Sequence, residues 1–260
     1  MKWDHSLIDT LEWGNQISHK EDKIKIADLI ASKVENGQVI GVGSGSTSYL
    51  ALTRIAERIR TERLSILAIP TSLEIRMTCA QLGIPVTSLF SHKPDWTFDG
   101  ADEVDSHFNL IKGRGGAMFK EKLLISSSPQ TYILVDPSKK VERLGAKFPI
   151  PIEIFPEALT YVEDRLQRLN PGEIKLRMGQ GKDGPIITEN GNMILDVWMD
   201  YIPENTESTL KSITGVLESG LFMNYKVEVL GLTSLILVVS IPSRAPRRNV
   251  HYFSSYSVRP

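Results

Sequence analysis

Apolar positions in the first half of the chain follow two alternating periods, which predict repeated helix–strand units. Segments with apolar residues at helical spacing predict helices at 26–34, 52–59, 74–82 and 117–126. Short apolar runs between them predict strands at 38–42, 64–69, 84–90 and 130–135. Gly37 and Gly83 follow two of the helices, where glycine commonly ends a helix. Such units favour a parallel sheet with helices on both faces, which binds ligands at the carboxyl ends of its strands.

The pattern changes after residue 147. The prolines of 148–152 indicate an extended segment, helices are predicted at 158–169 and 204–213, and strands at 174–178, 185–188 and 193–198. Asn190-Gly191 is typical of a tight hairpin turn. We therefore predict an α/β fold with a Rossmann-like parallel sheet domain and a second, smaller α+β (ferredoxin-like) domain. The first comprises residues 1–147 plus 223–260, and the second comprises 148–222.

The end of the chain has a weaker pattern. Residues 227–239 can still supply a strand, but Pro, Ser and Arg from residue 243 onward offer little core. We expect this tail to be loosely ordered or wrapped on the surface, and to be dispensable for chemistry.

Composition excludes several classes of protein. The chain has 260 residues, 41% hydrophobic and 23% charged, which is typical of a globular protein rather than a disordered one. Its 30 basic and 31 acidic residues argue against a nucleic-acid partner, and the single Cys79 excludes a disulfide framework. The longest apolar stretch, 227–241, is interrupted by polar residues, so no membrane association is expected. Acids within the first 23 residues do not suit a secretory signal, and we expect a cytoplasmic protein.

A glycine-rich loop, GVGSGST at 41–47, lies between a predicted strand and a predicted helix. Glycines let the backbone approach a ligand, and a helix N-terminus offers free N–H groups to an anion. The hydroxyls of Ser44, Ser46 and Thr47 add donors, so we favour phosphate binding over a plain turn capped by serine. Ser46 replaces the third glycine of the dinucleotide fingerprint, and no lysine follows Gly45 as a Walker loop requires.

Four acids fall within seven positions at 99–105, which read DGADEVD. Mutual repulsion raises the pKa of some carboxyls in such a cluster. The cluster suits proton transfer or a Mg²⁺ site, and from the residues alone a solvated turn explains it equally well. Lys139 supplies a cation at the end of the following predicted strand, where a simple turn is the alternative.

A second glycine-rich stretch, KGRGGA at 112–117, precedes a predicted helix that carries Glu121 among apolar residues. Desolvation in such surroundings makes a carboxylate more basic. From the residues alone, the preferred interpretation is that Glu121 pairs on the surface. Its candidate partners are Lys120, Lys122 and Arg114.

Taken together and in this order, the motifs resemble those of ribose-5-phosphate isomerase of the A type. The matching stretches are GSGST at 43–47, IPTS at 69–72, DGADEVD at 99–105, LIKGRGGAMFKEK at 110–122, the D-x-SK and LG…FP-P pattern at 135–151, KDG…T-x-NGN-x-I-x-D at 182–196 and GV-x-E-x-GLF at 215–222. The resemblance covers roughly residues 23–222. Ser44 stands where the family loop usually has threonine, and Arg114 stands where many members have glycine.

The resemblance implies an aldose–ketose isomerase that interconverts D-ribose 5-phosphate and D-ribulose 5-phosphate through an enediol, without a metal or other cofactor. The catalytic residues that it implies are Glu121 as the base, Asp99 and Asp102 as assisting acids, and Lys112 as the cation beside the enediolate oxygen. The substrate-binding residues that it implies are Lys23, Ser44, Gly45, Ser46, Thr47, Gly100, Ala101, Gly113, Arg114, Gly115 and Lys139. The expected partners are a small sugar phosphate and further copies of the chain, as a homodimer or homotetramer.

Two other functions are compatible with parts of the sequence. A non-catalytic sugar-phosphate sensor on the same fold would normally bring a DNA-binding helix-turn-helix, for which the first 23 residues are too short, and it has no need of Glu121. A CoA-transferase-like enzyme would use a glutamate as nucleophile, and the full set of motifs speaks against it.

Overall fold

The computed structural model describes residues 6–13, 16–181 and 183–231, together with the backbone of Val239–Ser240. Lys182 of the KDG motif and the tail from residue 243 lie outside the described residues, as do residues 1–5. Within the described ranges, no helix is both long enough and apolar enough to cross a bilayer.

Six α-helices and thirteen short strands make up the described chain. The helices are α1 Lys20–Ser32, α2 Ser46–Glu62, α3 Leu73–Leu82, α4 Met118–Ser127, α5 Leu159–Gln167 and α6 Thr206–Lys211. The strands are β1 Val39–Val42, β2 Leu67–Pro70, β3 Trp96–Gly100, β4 Glu103–Val104, β5 Leu110–Ile111, β6 Thr131–Val135, β7 Ile150–Ile154, β8 Glu173–Leu176, β9 Met193–Trp198, β10 Val216–Ser219, β11 Leu221–Phe222, β12 Glu228–Gly231 and β13 Val239–Ser240.

The predicted parallel sheet is confirmed. Its strand order is β13-β12-β6-β3-β1-β2, and all neighbours are parallel except β13, which runs antiparallel to β12. Ile40 and Phe98, on neighbouring strands, are fully buried against Ile30 of α1 and Ile55 of α2. Burial of this apolar surface aligns the carboxyl ends of β1, β3 and β6 at one edge of the sheet.

The second sheet is the small α+β unit that the sequence predicts. Its elements follow the order β7-α5-β8-β9-α6-β10, and the antiparallel strands lie in the spatial order β10-β7-β9-β8. This arrangement is the ferredoxin-like one. Ile152 on β7 and Val162 on α5 are fully buried in its core. The chain division at residues 147 and 223 stays a prediction.

A third sheet of three short strands lies between the other two. Its order is β11-β5-β4, with antiparallel pairing throughout. Ile111 of β5 packs in the core of the second sheet, whereas its neighbour Leu110 packs with Ile133 of the parallel sheet. The residue that follows, Lys112, therefore leaves β5 at the junction of the two larger units.

Several element boundaries differ from the predictions. The predicted strands at 84–90 and 185–188 reduce to single bridges, Ala68 with Val86 and Met178 with Pro185. Each segment contains a proline, which has no N–H to donate to a ladder. Gly37 does not end α1, which stops at Ser32; with φ of 85° it instead turns the chain towards β1.

Candidate active site

The loop 43–45 connects β1 to α2 as predicted. Gly45 has φ of 93°, a conformation that side chains rarely adopt, and the helix begins at the next residue. The hydroxyl of Ser44 lies 2.9 Å from that of Thr71, which follows β2. The first N–H groups of α2 lack partners within the helix, so this end of α2 suits an anion.

Glycines at positions 41 and 43 have a different role from the one that the sequence indicates. A Cβ on Gly43 would lie 2.0 Å from Cγ of Asp99, and one on Gly41 would lie 2.1 Å from Oγ1 of Thr97. Asp99 and Thr97 both belong to the neighbouring strand β3. These two glycines therefore make room for β3 side chains beneath the loop, and Gly43 makes room for Asp99 in particular.

Lys23 brings a cation to the same loop. Its Nζ lies 3.1 Å from Oγ of Ser46 and 3.7 Å from Oδ2 of Asp136, and the residue is 5% exposed. Burial lowers the pKa of Lys23, and the charge of Asp136 acts against that effect. Asp136 itself accepts hydrogen bonds from the backbone N–H and hydroxyl of Ser138, and its contact with Lys23 connects the turn after β6 to α1.

Arg114 and Lys139 share one aromatic ring. The guanidinium carbon of Arg114 lies 5.6 Å from the ring centroid of Phe148, and Nζ of Lys139 lies 5.4 Å from it. Both distances suit cation–π contacts. Arg114 and Lys139 thus line the same cavity as Lys23.

The acid cluster separates into two pairs with different roles. Glu103 is fully buried and accepts backbone hydrogen bonds from Gly145, Lys147 and Phe148 at 2.5–2.7 Å. Asp105 accepts bonds from the backbone N–H groups of 107 and 109 and so shapes a turn. These two acids bind the backbone, whereas Asp102 lines the cavity described below and Asp99 is buried against Lys112.

Lys112 and Glu121 meet Asp99 in the interior. Nζ of Lys112 lies 3.0 Å from Oδ2 of Asp99 and 3.5 Å from Oε2 of Glu121, and it donates to the carbonyl oxygen of Gly100. Lys112 is 3% exposed and Glu121 is 5% exposed. The expectation from the residues alone, that Glu121 pairs on the surface, is therefore wrong. The N–H of Gly116 donates to the carbonyl oxygen of Gly113, so the chain turns sharply between Lys112 and α4, and Lys112 contacts Glu121 in the first turn of that helix.

Burial changes the acid–base properties of these three groups. It raises the pKa of Glu121 to about 8, an effect that the charge of Asp99 reinforces and that of Lys112 opposes. Burial likewise raises the pKa of Asp99 against the attraction of Lys112. Burial alone lowers the pKa of Lys112, but the charges of Asp99 and Glu121 outweigh it, and the net shift is upward. A carboxyl that titrates near neutral pH beside a permanent ammonium is suited to proton transfer.

The raised pKa of Glu121 predicts a pH-dependent rate. A general base acts in its ionised form, so kcat/KM should rise with pH and level off above about 8.

The same shift affects stability. Because the folded protein holds the proton of Glu121 more tightly than the unfolded chain does, the contribution of Glu121 to the free energy of unfolding falls as pH rises from about 4.5 to about 8. A pH–rate profile measures the first effect, and a rate that stays constant across this range would contradict it.

The residue next to Glu121 anchors α4. Nζ of Lys122 lies 2.6 Å from Oε1 of Glu207 and 3.0 Å from Oε1 of Glu218, and it donates to the carbonyl oxygen of Leu221 at 2.8 Å. These acceptors belong to α6, β10 and β11. Lys122 is therefore buried and does not pair with Glu121 on the surface, so that alternative is also wrong.

One cavity of about 730 Å³ brings the predicted residues together. Fourteen of the fifteen line it: Lys23, Ser44, Gly45, Ser46, Thr47, Gly100, Ala101, Asp102, Lys112, Gly113, Arg114, Gly115, Glu121 and Lys139. Asp99 lies directly behind Lys112 and contacts it. Sequence reasoning missed the segment 186–190 of the second unit, which also lines the cavity. A strand pattern and a turn signal gave no indication of where this segment would fold.

An α/β sheet that joins an anion-binding loop to a buried carboxyl–ammonium pair defines an acid–base enzyme for a small anionic ligand. Comparison with known proteins agrees with that class. The family model for ribose 5-phosphate isomerase A (phosphoriboisomerase A) matches residues 67–233. Ribose-5-phosphate isomerase A of Methanothermobacter thermautotrophicus is 42% identical over 81% of this chain and 93% of its own length. The protein of the same name from Methanocaldococcus jannaschii is 42% identical over 79% of this chain and 92% of its own length.

Solved structures give the same result. Ribose 5-phosphate isomerase A from Methanocaldococcus jannaschii superposes with a TM-score of 0.82 at 39% identity, covering 86% of this chain and all of that one. A D-ribose-5-phosphate isomerase in complex with phospho-erythronic acid superposes with a TM-score of 0.81 at 35% identity, again over 86% of this chain and all of that one. The chain belongs to the ribose 5-phosphate isomerase A family, which confirms the resemblance in the sequence.

Proposed function

We propose that this protein interconverts D-ribose 5-phosphate and D-ribulose 5-phosphate. The observation that carries the proposal is the buried contact of Lys112 with Glu121 in a cavity that also contains the loop 44–47. The names of the relatives support it, and so does the phosphorylated sugar acid bound by one of them. A non-catalytic sensor is not favoured, because burial of Glu121 costs stability and a protein that only binds the sugar phosphate gains nothing from it.

The proposed mechanism uses one carboxylate for both proton transfers. Glu121 takes the proton from C2 of the open-chain aldose and leaves an enediolate with its negative charge on O1. The hydroxyl proton on O2 passes to O1, and Glu121 returns its proton to C1, which gives the ketose. Lys112 faces the oxygen on which negative charge develops and stabilises it by a charge-assisted hydrogen bond. Asp99 holds Lys112 in place, and Asp102 assists ring opening and binds sugar hydroxyls.

Recognition of the phosphate is a separate task, which we assign to the loop 44–47 and the cations around it. The free N–H groups at the start of α2 and the hydroxyls at 44–47 are suited to bind an anion. Lys23, Arg114 and Lys139 add positive charge around the same cavity. A dianionic phosphate in this position lets binding energy from a group remote from C1 and C2 orient the sugar for proton transfer.

The direct experiment is an assay of the purified protein for ribulose 5-phosphate formation from ribose 5-phosphate. Turnover supports the isomerase. Saturable binding of ribose 5-phosphate without any turnover would instead support the sensor. Non-phosphorylated D-ribose serves as the matched control, and its kcat/KM should be far lower because the loop and the cations have nothing to bind.

Removal of metal ions should leave turnover intact. The charge that develops on the enediolate is met by Lys112, whose ammonium needs no metal. Within the described ranges, no three His, Cys, Asp or Glu side chains are grouped so as to hold a metal ion. Exhaustive dialysis against a chelator, followed by the assay, checks this expectation. Loss of activity that Mg²⁺ restores would instead assign the acid cluster to a metal site.

We further propose that the chain forms a homodimer or homotetramer in the cytoplasm. Phe90 is fully exposed beside the half-exposed Leu123, and both border one surface groove. Clustered exposed apolar residues of this kind commonly mark an interface. Light scattering with Phe90→Asp as the comparison tests the assembly, and a monomeric wild-type protein would contradict it. Cell fractionation tests the location.

A further inference from the structure

Arg177 connects the second sheet to the loop that carries Lys112. It directly follows β8, and its Nη1 donates to the carbonyl oxygens of Arg114 at 2.8 Å and Gly113 at 3.3 Å. Asp196 on β9 holds the guanidinium with both carboxylate oxygens: Nε lies 2.8 Å from Oδ2, and Nη2 donates to Oδ1. The two side chains are 15% and 18% exposed, so this bidentate pair is largely shielded from solvent.

The loop 112–117 needs such support because its glycines make the backbone flexible. Gly113 has φ of 98° and Gly116 has φ of 82°. Glycine can adopt these angles, but it adopts other backbone angles as easily, so the glycines alone do not fix the conformation of the loop. On one side, the N–H of Arg114 donates to Oδ2 of Asp102 at 3.2 Å. On the other side, Arg177 donates to the carbonyl oxygens of Gly113 and Arg114. The peptide units after Lys112 are thus held on one side by Asp102, between β3 and β4, and on the other side by Arg177, after β8.

We propose that Arg177, oriented by Asp196, is a positioning residue that places Lys112 against Glu121. The inference rests on the isomerase function proposed above. Arg177 acts through the loop, since it is not among the described residues that line the cavity. The role also accounts for Asp196, the last residue of the 182–196 motif, which the mechanism leaves without a function.

The first test removes the guanidinium without removing the bulk of the side chain. Arg177→Met should lower kcat by about 10- to 100-fold and change KM by less than about threefold, because misplacement by an ångström impairs chemistry more than binding. Arg177→Lys should recover part of the loss through a single charged donor. Lys175→Met is the matched control: Lys175 pairs with the exposed Glu173 on the same strand, and its loss should leave kcat unchanged.

Two further readouts separate positioning from general stability. Guanidinium chloride at millimolar concentration should restore part of the kcat of Arg177→Ala, and sodium chloride at the same ionic strength should not. Amide hydrogen exchange across 112–117 should be faster in Arg177→Met than in the wild type, with the cores of both sheets unchanged. Wild-type kcat in Arg177→Met, or an equal increase of exchange throughout the chain, would overturn the proposal. Absence of isomerase activity in the wild type would overturn the proposed function, while the exchange measurement would still test the position of Arg177.

Discussion

Glu121→Gln is expected to lower kcat on the order of 10²- to 10⁴-fold while substrate binding survives. The amide keeps the size of the carboxylate, but it cannot accept a proton from carbon. Glu121 lies in the first turn of α4, so the helix that bears it is unchanged. Glu121→Asp should also be impaired, because it draws the carboxylate back by about one methylene.

Steady-state kinetics and a solvent isotope experiment check this expectation. In D₂O the wild type should place deuterium at C1 of the ketose, with some direct transfer from C2. Glu163→Gln, on the exposed face of α5, is the matched control and should keep wild-type kcat. A fully active Glu121→Gln variant would contradict the assignment and direct attention to Asp99 or Asp102.

Lys112→Met is expected to lower kcat by roughly 10²- to 10³-fold, the loss typical of a missing oxyanion partner. The same change leaves Asp99 buried without its cation, so the free energy of unfolding should fall by about 3–5 kcal/mol. Loss of the ammonium also removes the charge that opposes the upward pKa shift of Glu121, so the rate should rise with pH later than in the wild type.

Urea unfolding and a pH–rate profile measure these effects separately. Lys112→Arg is a second variant that retains the positive charge. It should restore part of the stability, because Asp99 keeps a cation, and little of the rate, because a planar guanidinium directs its donors differently from an ammonium. Wild-type kcat in a folded Lys112→Met variant would exclude the proposed role of this residue in stabilising the enediolate.

The sequence predicts those parts of the fold that depend on local pattern. The strand–loop–helix at 39–62 and the helix that carries Glu121 both follow from apolar periodicity and glycine placement. The segments 84–90 and 185–188 show the limit of this reasoning. Their apolar runs resemble strands, but each forms only one bridge, because Pro85 and Pro185 have no N–H to donate to a continuous ladder.

The chemistry depends on contacts between distant residues, which local pattern does not contain. Glu103 and Asp99 stand four positions apart in one motif, but the first binds the backbone at 145–148 and the second binds Lys112. Burial of Glu121 likewise results from the packing of α4 between two sheets. From the residues alone this glutamate resembles a surface residue, and only the family resemblance indicated its role.

The anchoring of Lys122 has a consequence for motion. Glu121 and Lys122 are consecutive on α4, and Lys122 is bound to α6, β10 and β11. If the second sheet moved away from the parallel sheet to open the cavity, the buried contacts of Lys122 would break, or α4 and Glu121 would move with the second sheet. The segment 186–190, which also borders the cavity, is tied to α4 by the solvent-exposed pair of Glu189 with Lys120. An exposed pair of this kind contributes only about 0–1 kcal/mol, so we expect a ligand to enter and leave more easily by displacement of this segment. We therefore expect Lys112 and Glu121 to keep their positions while the ligand enters and leaves.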